Sequence, residues 1–126
     1  MAVSRAEFTQ AMNECTSATN DWELFVGRDP GHLLGNLEPA VATDEQRAIM
    51  VESLQQNLRR IMKALKAAER VVELAPDYHL HNGPRIGRRI RRRKTVEHYQ
   101  GIAVMLRAAF IVFAKDWQRW TGEDLA

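Results

Sequence analysis

The sequence predicts an all-α protein, a small bundle of three to four helices with a long central helix that follows a heptad pattern. Apolar residues recur at spacings of three and four in three separate stretches, which is the period of an amphipathic helix. Two of these stretches begin with a capping box, and segments with the composition of loops separate all three. A chain of 126 residues is long enough for one domain and too short for two ordinary ones. We therefore expect one helical domain over 1–126, with helices near 5–26, 44–75 and 84/95–121 and loops at 27–42 and 76–83.

The first helix is predicted to begin at the capping box Ser4-Arg-Ala-Glu7, in which the Ser4 hydroxyl accepts from a free backbone N–H. The segment 16–21 is poor in helix formers, so we consider a break there. Cys15 lies on the apolar stripe, and we expect it to be a small buried residue rather than a nucleophile. The stripe consists of Phe8, Met12, Cys15, Thr19, Trp22 and Val26.

The connection over 27–42 contains three glycines and two prolines. It is longer than the usual link between two helices, so it is either functional or held down by its own apolar residues. Leu33, Leu34 and Leu37 favour the second explanation. We expect these leucines to pack against the bundle.

The second helix is predicted to begin at another capping box, Thr43-Asp-Glu-Gln46. Its apolar stripe is wider than the seam of a two-stranded coiled coil, which favours a bundle. Proline lacks the backbone N–H and clashes with the preceding turn, so Pro76 is predicted to end this helix. The stripe is Val51, Leu54, Leu58, Ile61, Leu65, Ala68 and Val72, widened by Met50, Met62, Ala64 and Val71.

The last helix carries the strongest apolar signal, because apolar residues cover more than one of its faces. Such a helix is either central or has a second face that meets another subunit, so we expect an oligomer or a place in a larger assembly. Thr121 and Gly122 are predicted to end it. The main stripe is Tyr99, Ala103, Leu106, Phe110, Phe113, Trp117 and Trp120, and the further apolar residues are Ile102, Val104, Met105, Ile111 and Val112.

A basic run precedes this helix, over residues 85–94. Seven of its ten residues are cationic and none is acidic, whereas the other 116 residues carry 11 basic and 16 acidic side chains. If a helix begins near Pro84 with Asn82 at its cap, five of the arginines share an arc of about 140°. The alternative is an extended arm that becomes ordered when a partner binds. The cationic residues are Arg85, Arg88, Arg89, Arg91, Arg92, Arg93 and Lys94.

Clustered like charges repel one another, so the basic run points to an anion supplied by a partner. Arginine binds phosphate bidentately, and the run lacks the motifs of base readout, so we predict sequence-independent, salt-sensitive binding of a nucleic-acid backbone. Flanking rings that could stack on the bases of a single strand are Tyr78, His79, His81 and Tyr99. The predicted role is a non-catalytic accessory subunit, comparable in size, helicity and charge to the small helical subunits of RNA-guided effectors. No catalytic residue, cofactor or metal site is predicted.

Two alternatives remain open. In one, the basic run docks on an acidic protein, as in a small phage- or plasmid-encoded inhibitor or adaptor. In the other, Arg93-Lys-Thr-Val-Glu-His98 resembles the Arg-x4-His signature of HEPN ribonucleases, which implies metal-independent RNA cleavage by Arg93 and His98. Lys94 departs from the polar residue usual in that signature. His79 and His81, with Asp77 and His98, do not make a predicted metal site, because two histidines in a loop without cysteine support are usually ordinary polar residues.

The single cysteine excludes an intramolecular disulfide and indicates an intracellular, cytoplasmic protein. The N-terminus lacks an apolar core of signal-peptide length. The longest apolar run, over 102–114, has 13 residues and contains Arg107, whereas a bilayer span needs about 20. We therefore expect a soluble protein with no membrane partner.

Overall fold

The computed structural model describes the backbone of residues 3–81 and 88–125 and the side chains of residues 3–78 and 92–125. Within these residues the chain forms three α-helices and two short 3₁₀ turns, and no strand. The all-α prediction is therefore confirmed, and the architecture is a helical bundle in which α2 packs against both α1 and α3. The elements are α1 Arg5–Arg28, 3₁₀ turns Pro30–Leu34 and Pro39–Val41, α2 Asp44–His81 and α3 Arg88–Thr121.

Helix α1 begins at the predicted capping box, since Ser4 Oγ accepts a hydrogen bond from Glu7 N at 3.1 Å. The helix runs without interruption through 16–21, so the break considered there is absent. Packing of its apolar face against α2 outweighs the weak helix propensity of this segment. The buried residues of α1 are Phe8, Ala11, Cys15 and Ala18.

Helix α2 also begins at its predicted capping box, here with both reciprocal bonds. Gln46 N donates to Thr43 Oγ1 at 3.1 Å, and Thr43 N donates to Gln46 Oε1 at 2.9 Å. The middle of α2 contributes most to the core, because several of its apolar residues are fully buried. The buried members of the predicted stripe are Leu54, Leu58, Ile61, Leu65 and Ala68, together with Met50, Ala64 and Val71 beside it.

Pro76 does not end α2, which continues to His81, so the prediction of a loop over 76–83 is wrong for 76–81. A proline inside a helix costs about 3 kcal/mol, so the turns around it need support from elsewhere. That support comes from α1 and its leading residues. The Tyr78 ring stacks on Phe8 with centroids 4.2 Å apart, and Val3 N donates to Asp77 Oδ2 at 2.6 Å.

The connection between α1 and α2 is tied to the bundle by a polar network centred on Asp29. One Asp29 oxygen accepts from Gly31 N at 3.0 Å, and the other accepts from Ser53 Oγ at 2.5 Å and Asn57 Nδ2 at 3.1 Å. Trp22 Nε1 donates to Asn57 Oδ1 at 3.0 Å, which links α1 to the same network. Ser53 and Asn57 are both buried. The hydrogen bonds of this network satisfy their polar side-chain atoms within the protein.

A second apolar cluster lies where the connection meets the end of α3. Leu34 and Leu37 pack there as predicted, whereas Leu33 is 85% exposed and the prediction for it is wrong. Arg47 donates to Trp120 O at 2.7 Å and to Pro39 O at 2.6 Å, so it ties α3 to the connection. The buried residues of this cluster are Met50, Leu54 and Trp120.

Helix α3 buries one side against α2 and leaves the other side open. It ends at Thr121. The next residue, Gly122, has a φ of 74°, the left-handed conformation that glycine adopts without steric cost. Among the described residues, α3 is the one helix long and apolar enough to cross a membrane by length and composition, within Arg92–Thr121. The apolar run over 102–114, on which the prediction of a soluble protein depended, is shorter than this stretch. Core helices of soluble proteins pass the same test, but only 11% of the 18-residue apolar window within this stretch is buried.

The contact between Gly31 and Ser53 yields a test of the Asp29 network. A Cβ at position 31 would overlap Ser53 Oγ and Cβ, so Gly31→Ala must displace the connection from α2. We expect the free energy of unfolding to fall by about 1–3 kcal/mol, measured by urea denaturation.

Gly27→Ala is the matched control, because a Cβ at that helical position meets no atom within 4 Å. It should stabilise the protein by up to about 1 kcal/mol through helix propensity. Equal effects of the two substitutions would contradict the packing of Gly31 against Ser53.

Candidate nucleic-acid interface

The N-terminal end of α3 extends past the described end of α2. The two helices are antiparallel, and Arg107 Nη2 on α3 lies 3.1 Å from Glu69 Oε1 on α2. Twelve residues after Glu69, α2 reaches His81, whereas twelve residues before Arg107, α3 reaches only Thr95. Residues 88–94 therefore continue beyond α2 by about 10 Å, at 1.5 Å per residue.

The basic run occupies this projecting end. The side chains of Arg92, Arg93 and Lys94 are exposed. Arg93 lies 3.9 Å from Glu97, one turn along the same helix, and both side chains are well exposed. A surface pair of this kind contributes little to stability. Neither Arg92 nor Lys94 forms an ion pair with a carboxylate of the described residues.

The remaining predicted cations are only partly described. Arg88, Arg89 and Arg91 lie in the helical backbone of α3, and their side chains are not described. Arg85 lies outside the described residues, as do Asn82 and Pro84. The predicted helix is therefore observed from residue 88 onwards, and the choice between helix and arm for 84–87 falls outside the described residues.

Three arginines elsewhere in the bundle differ from Arg92 because they face acidic residues on a neighbouring helix. Arg60 is paired with Asp21 on α1, and Arg70 Nη2 lies 3.4 Å from Glu7 Oε1. Arg107 of α3 pairs with Glu69 of α2, as described above. These arginines connect helices, whereas Arg92 and Lys94 at the end of α3 leave their charge available to a partner.

Charge is distributed unevenly along the bundle axis. Toward the basic run, residues 3–16, 65–81 and 88–108 hold 10 basic and 6 acidic side chains. Toward the 3₁₀ turns, residues 17–64 and 109–125 hold 7 basic and 10 acidic side chains. We refer to these halves as the basic end and the acidic end. Such a distribution orients an approaching polyanion toward the basic end.

The helix dipole adds to this preference. The first turn of a helix presents free backbone N–H groups and a partial positive charge, so cations placed there raise the local potential further. The described first turn of α3 contains no acidic residue. A phosphate group at this position would be attracted by both the dipole and the guanidinium groups.

The predicted stacking rings differ in availability. One face of Tyr78 is covered by Phe8. Tyr99 is half-buried against the core, and burial raises its pKa, with a smaller contribution from Cys15. His98 is exposed and meets Tyr99 edge to face, with centroids 5.0 Å apart. The side chains of His79 and His81 are not described.

A second cationic surface escaped the sequence analysis. An open groove of about 1590 Å³ runs between α1 and α2. Arg60, Lys63, Lys66 and Arg70 line its α2 side. Their spacing of three, three and four was visible in the sequence, but it is also the ordinary pattern of a solvated helix face. Only the position of α1 opposite these residues turns them into the wall of a groove.

Both residues of the HEPN-like signature lie on α3 and are exposed. Arg93 and His98 are five residues apart, which places them about 140° apart around a regular helix. Arg93 is directed to Glu97 instead. The described residues contain no group of three metal-ligating side chains.

Cys15 is 1% exposed, as the sequence predicted, and burial raises the pKa of its thiol, an effect that the nearby Thr19 side chain partly offsets. A raised pKa means less thiolate, which is the reactive form. The environment of Cys15 is therefore that of an inert core residue.

Comparison with known proteins finds no matching family model and no significant similarity to a curated protein or a solved structure. The case for a function therefore depends on the residues and geometry described above.

The buried thiol predicts a sign for the pH dependence of stability. Below the ordinary pKa of 9.0 the thiol is protonated in both folded and unfolded chains. Above it the unfolded chain ionises first, so the free energy of unfolding should fall as the pH rises toward the folded-state pKa. Urea denaturation at pH 8 and pH 10 should show a larger decrease for the wild type than for Cys15→Ala.

The same protein should resist thiol reagents in its native state and react after unfolding. Rapid modification of the native protein at neutral pH, or identical pH dependence in Cys15→Ala, would contradict the buried position of this side chain.

Proposed function

We propose that the protein is a non-catalytic subunit that binds the phosphate backbone of nucleic acids through the basic end of the bundle. The observation that carries the proposal is the projecting end of α3, where Arg92 and Lys94 are exposed and form no ion pair with a described carboxylate. In this proposal the three-helix bundle, with its long heptad-patterned α2, serves as the rigid support that holds α3 in place.

Several properties of the site support a phosphate partner. Arginine predominates over lysine by six to one in the basic run, and its planar guanidinium group matches the geometry of phosphate oxygens. The helix dipole and the excess of basic residues at the basic end both attract a phosphate group to this site. The exposed side chains of Arg92 and Lys94 are accessible to a strand of nucleic acid.

The proposed binding is independent of base sequence. Phosphate contacts position a protein on nucleic acid without reading the bases. Tyr78 and Tyr99 are engaged with the core, so the proposal does not depend on base stacking by these rings. Membership of a larger nucleoprotein assembly, with RNA or DNA, is part of the same proposal.

Neutralising two cations tests the site. Each phosphate contact contributes a slope of about −0.9 to the dependence of log affinity on log salt concentration. Arg92→Gln combined with Lys94→Gln should therefore weaken binding and make this slope shallower by about two units. The measurement is fluorescence anisotropy with labelled single-stranded RNA, single-stranded DNA and duplex DNA over a series of salt concentrations.

Arg28→Gln combined with Arg59→Gln is the matched control. Both residues are exposed, neither forms an ion pair with a described residue, and both lie in the acidic end. The control removes the same charge and should leave the slope unchanged. Equal loss in both variants would show a general charge effect, and absence of binding by the wild type would overturn the proposal.

A cleavage assay separates the proposal from the HEPN-like alternative. We expect labelled RNA to remain intact with the wild-type protein in the presence of a metal chelator. Cleavage that is lost in His98→Ala and retained in Arg28→Gln would contradict a non-catalytic role.

A further inference from the structure

The side of α3 that faces away from α2 carries an apolar surface that the described bundle does not cover. Val104, Met105, Ile111 and Val112 are 53–61% exposed. Ala108 lies between them in the helix and is also exposed. Contiguous exposed apolar residues on a small protein mark an interaction surface more often than scattered ones do. We call this surface the outer face of α3.

The outer face follows a heptad pattern of its own. Its central line comprises positions 97, 101, 104, 108, 111 and 115, with spacings of four and three. This line lies opposite Leu106, which is fully buried against the rest of the bundle. A second helix could therefore pack along it with side chains interdigitated as in a coiled coil.

Residues on the outer face and beside its central line are complementary to the same residues of a second copy that runs in the opposite direction. When two copies of α3 are placed antiparallel with a twofold axis at Ala108, Val104 lies opposite Val112 and Met105 lies opposite Ile111. The same arrangement places Glu97 opposite Arg119, and both are exposed. Among the described residues, Glu97 forms an ion pair only with Arg93, at 3.9 Å. The pairing thus joins apolar residues in the centre and opposite charges at both ends.

Small residues lie where the two helices would approach each other most closely. Ala108 lies on the axis, and Gly101 lies one heptad away from it. A Cβ placed at Gly101 meets no atom within 4 Å, so the surface around it is open. Small side chains allow helices to pack at short interaxial distances.

The charge distribution of the whole bundle also favours the antiparallel arrangement. The basic end holds 10 basic and 6 acidic side chains, and the acidic end holds 7 basic and 10 acidic ones. An antiparallel pair places the basic end of one copy beside the acidic end of the other. A parallel pair would place the two basic ends together, which charge repulsion disfavours.

We propose that the outer face of α3 is the interface of an antiparallel homodimer with its twofold axis at Ala108. Such an interface is isologous, since each copy contributes the same surface. Lys94 lies 14 residues from Ala108, so the two basic ends are separated by about 42 Å along the helix direction, at 1.5 Å per residue. The dimer interface is independent of whether those ends bind nucleic acid.

Cysteine crosslinking tests the position of the axis. Ala108→Cys places two thiols next to each other across the axis, so oxidation or a short bis-maleimide should convert most of the protein to a covalent dimer. Lys115→Cys is the matched control on the same face, because its two copies are about 21 Å apart in the antiparallel dimer. The native Cys15 is buried and does not contribute. Equal crosslinking of both variants, or of neither, overturns the proposal.

Light scattering and sedimentation test the interface in the uncrosslinked protein. The wild type should show a concentration-dependent dimer, and Ile111→Lys should raise its dissociation constant at least tenfold. Glu97→Arg should weaken the dimer several-fold, and adding Arg119→Glu should restore it. A wild-type protein that stays monomeric at all concentrations tested overturns the proposal.

Vesicle flotation tests whether the outer face of α3 binds a lipid surface instead of a second copy. The wild-type protein should not float with vesicles of neutral or anionic phospholipid. Flotation that Ile111→Lys abolishes would assign the outer face to a lipid surface and overturn the dimer.

Discussion

The half-buried carboxylate of Asp29 fixes how α1 sits on α2, and the rest of the structure depends on this relation. Asp29 accepts hydrogen bonds from Gly31, Ser53 and Asn57, and Asn57 in turn accepts one from Trp22. Hydrophobic contacts alone permit neighbouring helices to slide or rotate at small cost, whereas a buried polar group left without a partner costs about 1–3 kcal/mol. The network therefore selects one register from several that would bury similar apolar area.

That register determines what lies at the opposite end of the bundle. With α1 fixed at its C-terminal end, its first turn reaches Tyr78 and Asp77 and supports the last turns of α2. The length of α2 in turn sets how far α3 projects, and hence how exposed Arg92 and Lys94 are. Through α1 and α2, the network around Asp29 thus influences the proposed binding site at the opposite end of the bundle.

The sequence predicted the features that depend on residues close to one another in the chain. Both capping boxes and the burial of Cys15 could be inferred because spacing along one helix determines them. The continuation through Pro76 could not, because Phe8 and Val3 stabilise it from about 70 residues away in the sequence. The charge of the basic run was evident, but its projection depends on where α2 ends. Lys63 and Lys66 appeared as an ordinary polar face until α1 was placed beside them.

The proline inside α2 has a consequence for local motion. Since Pro76 has no N–H, the carbonyl of Val72 lacks its usual intrahelical donor, and the turns beyond it are joined to the helix more weakly than those before it. Their stability therefore comes largely from the stack of Tyr78 on Phe8 and from the bond between Val3 and Asp77. The beginning of α1 and the end of α2 therefore stabilise each other, so that a change which weakens one of them weakens the other.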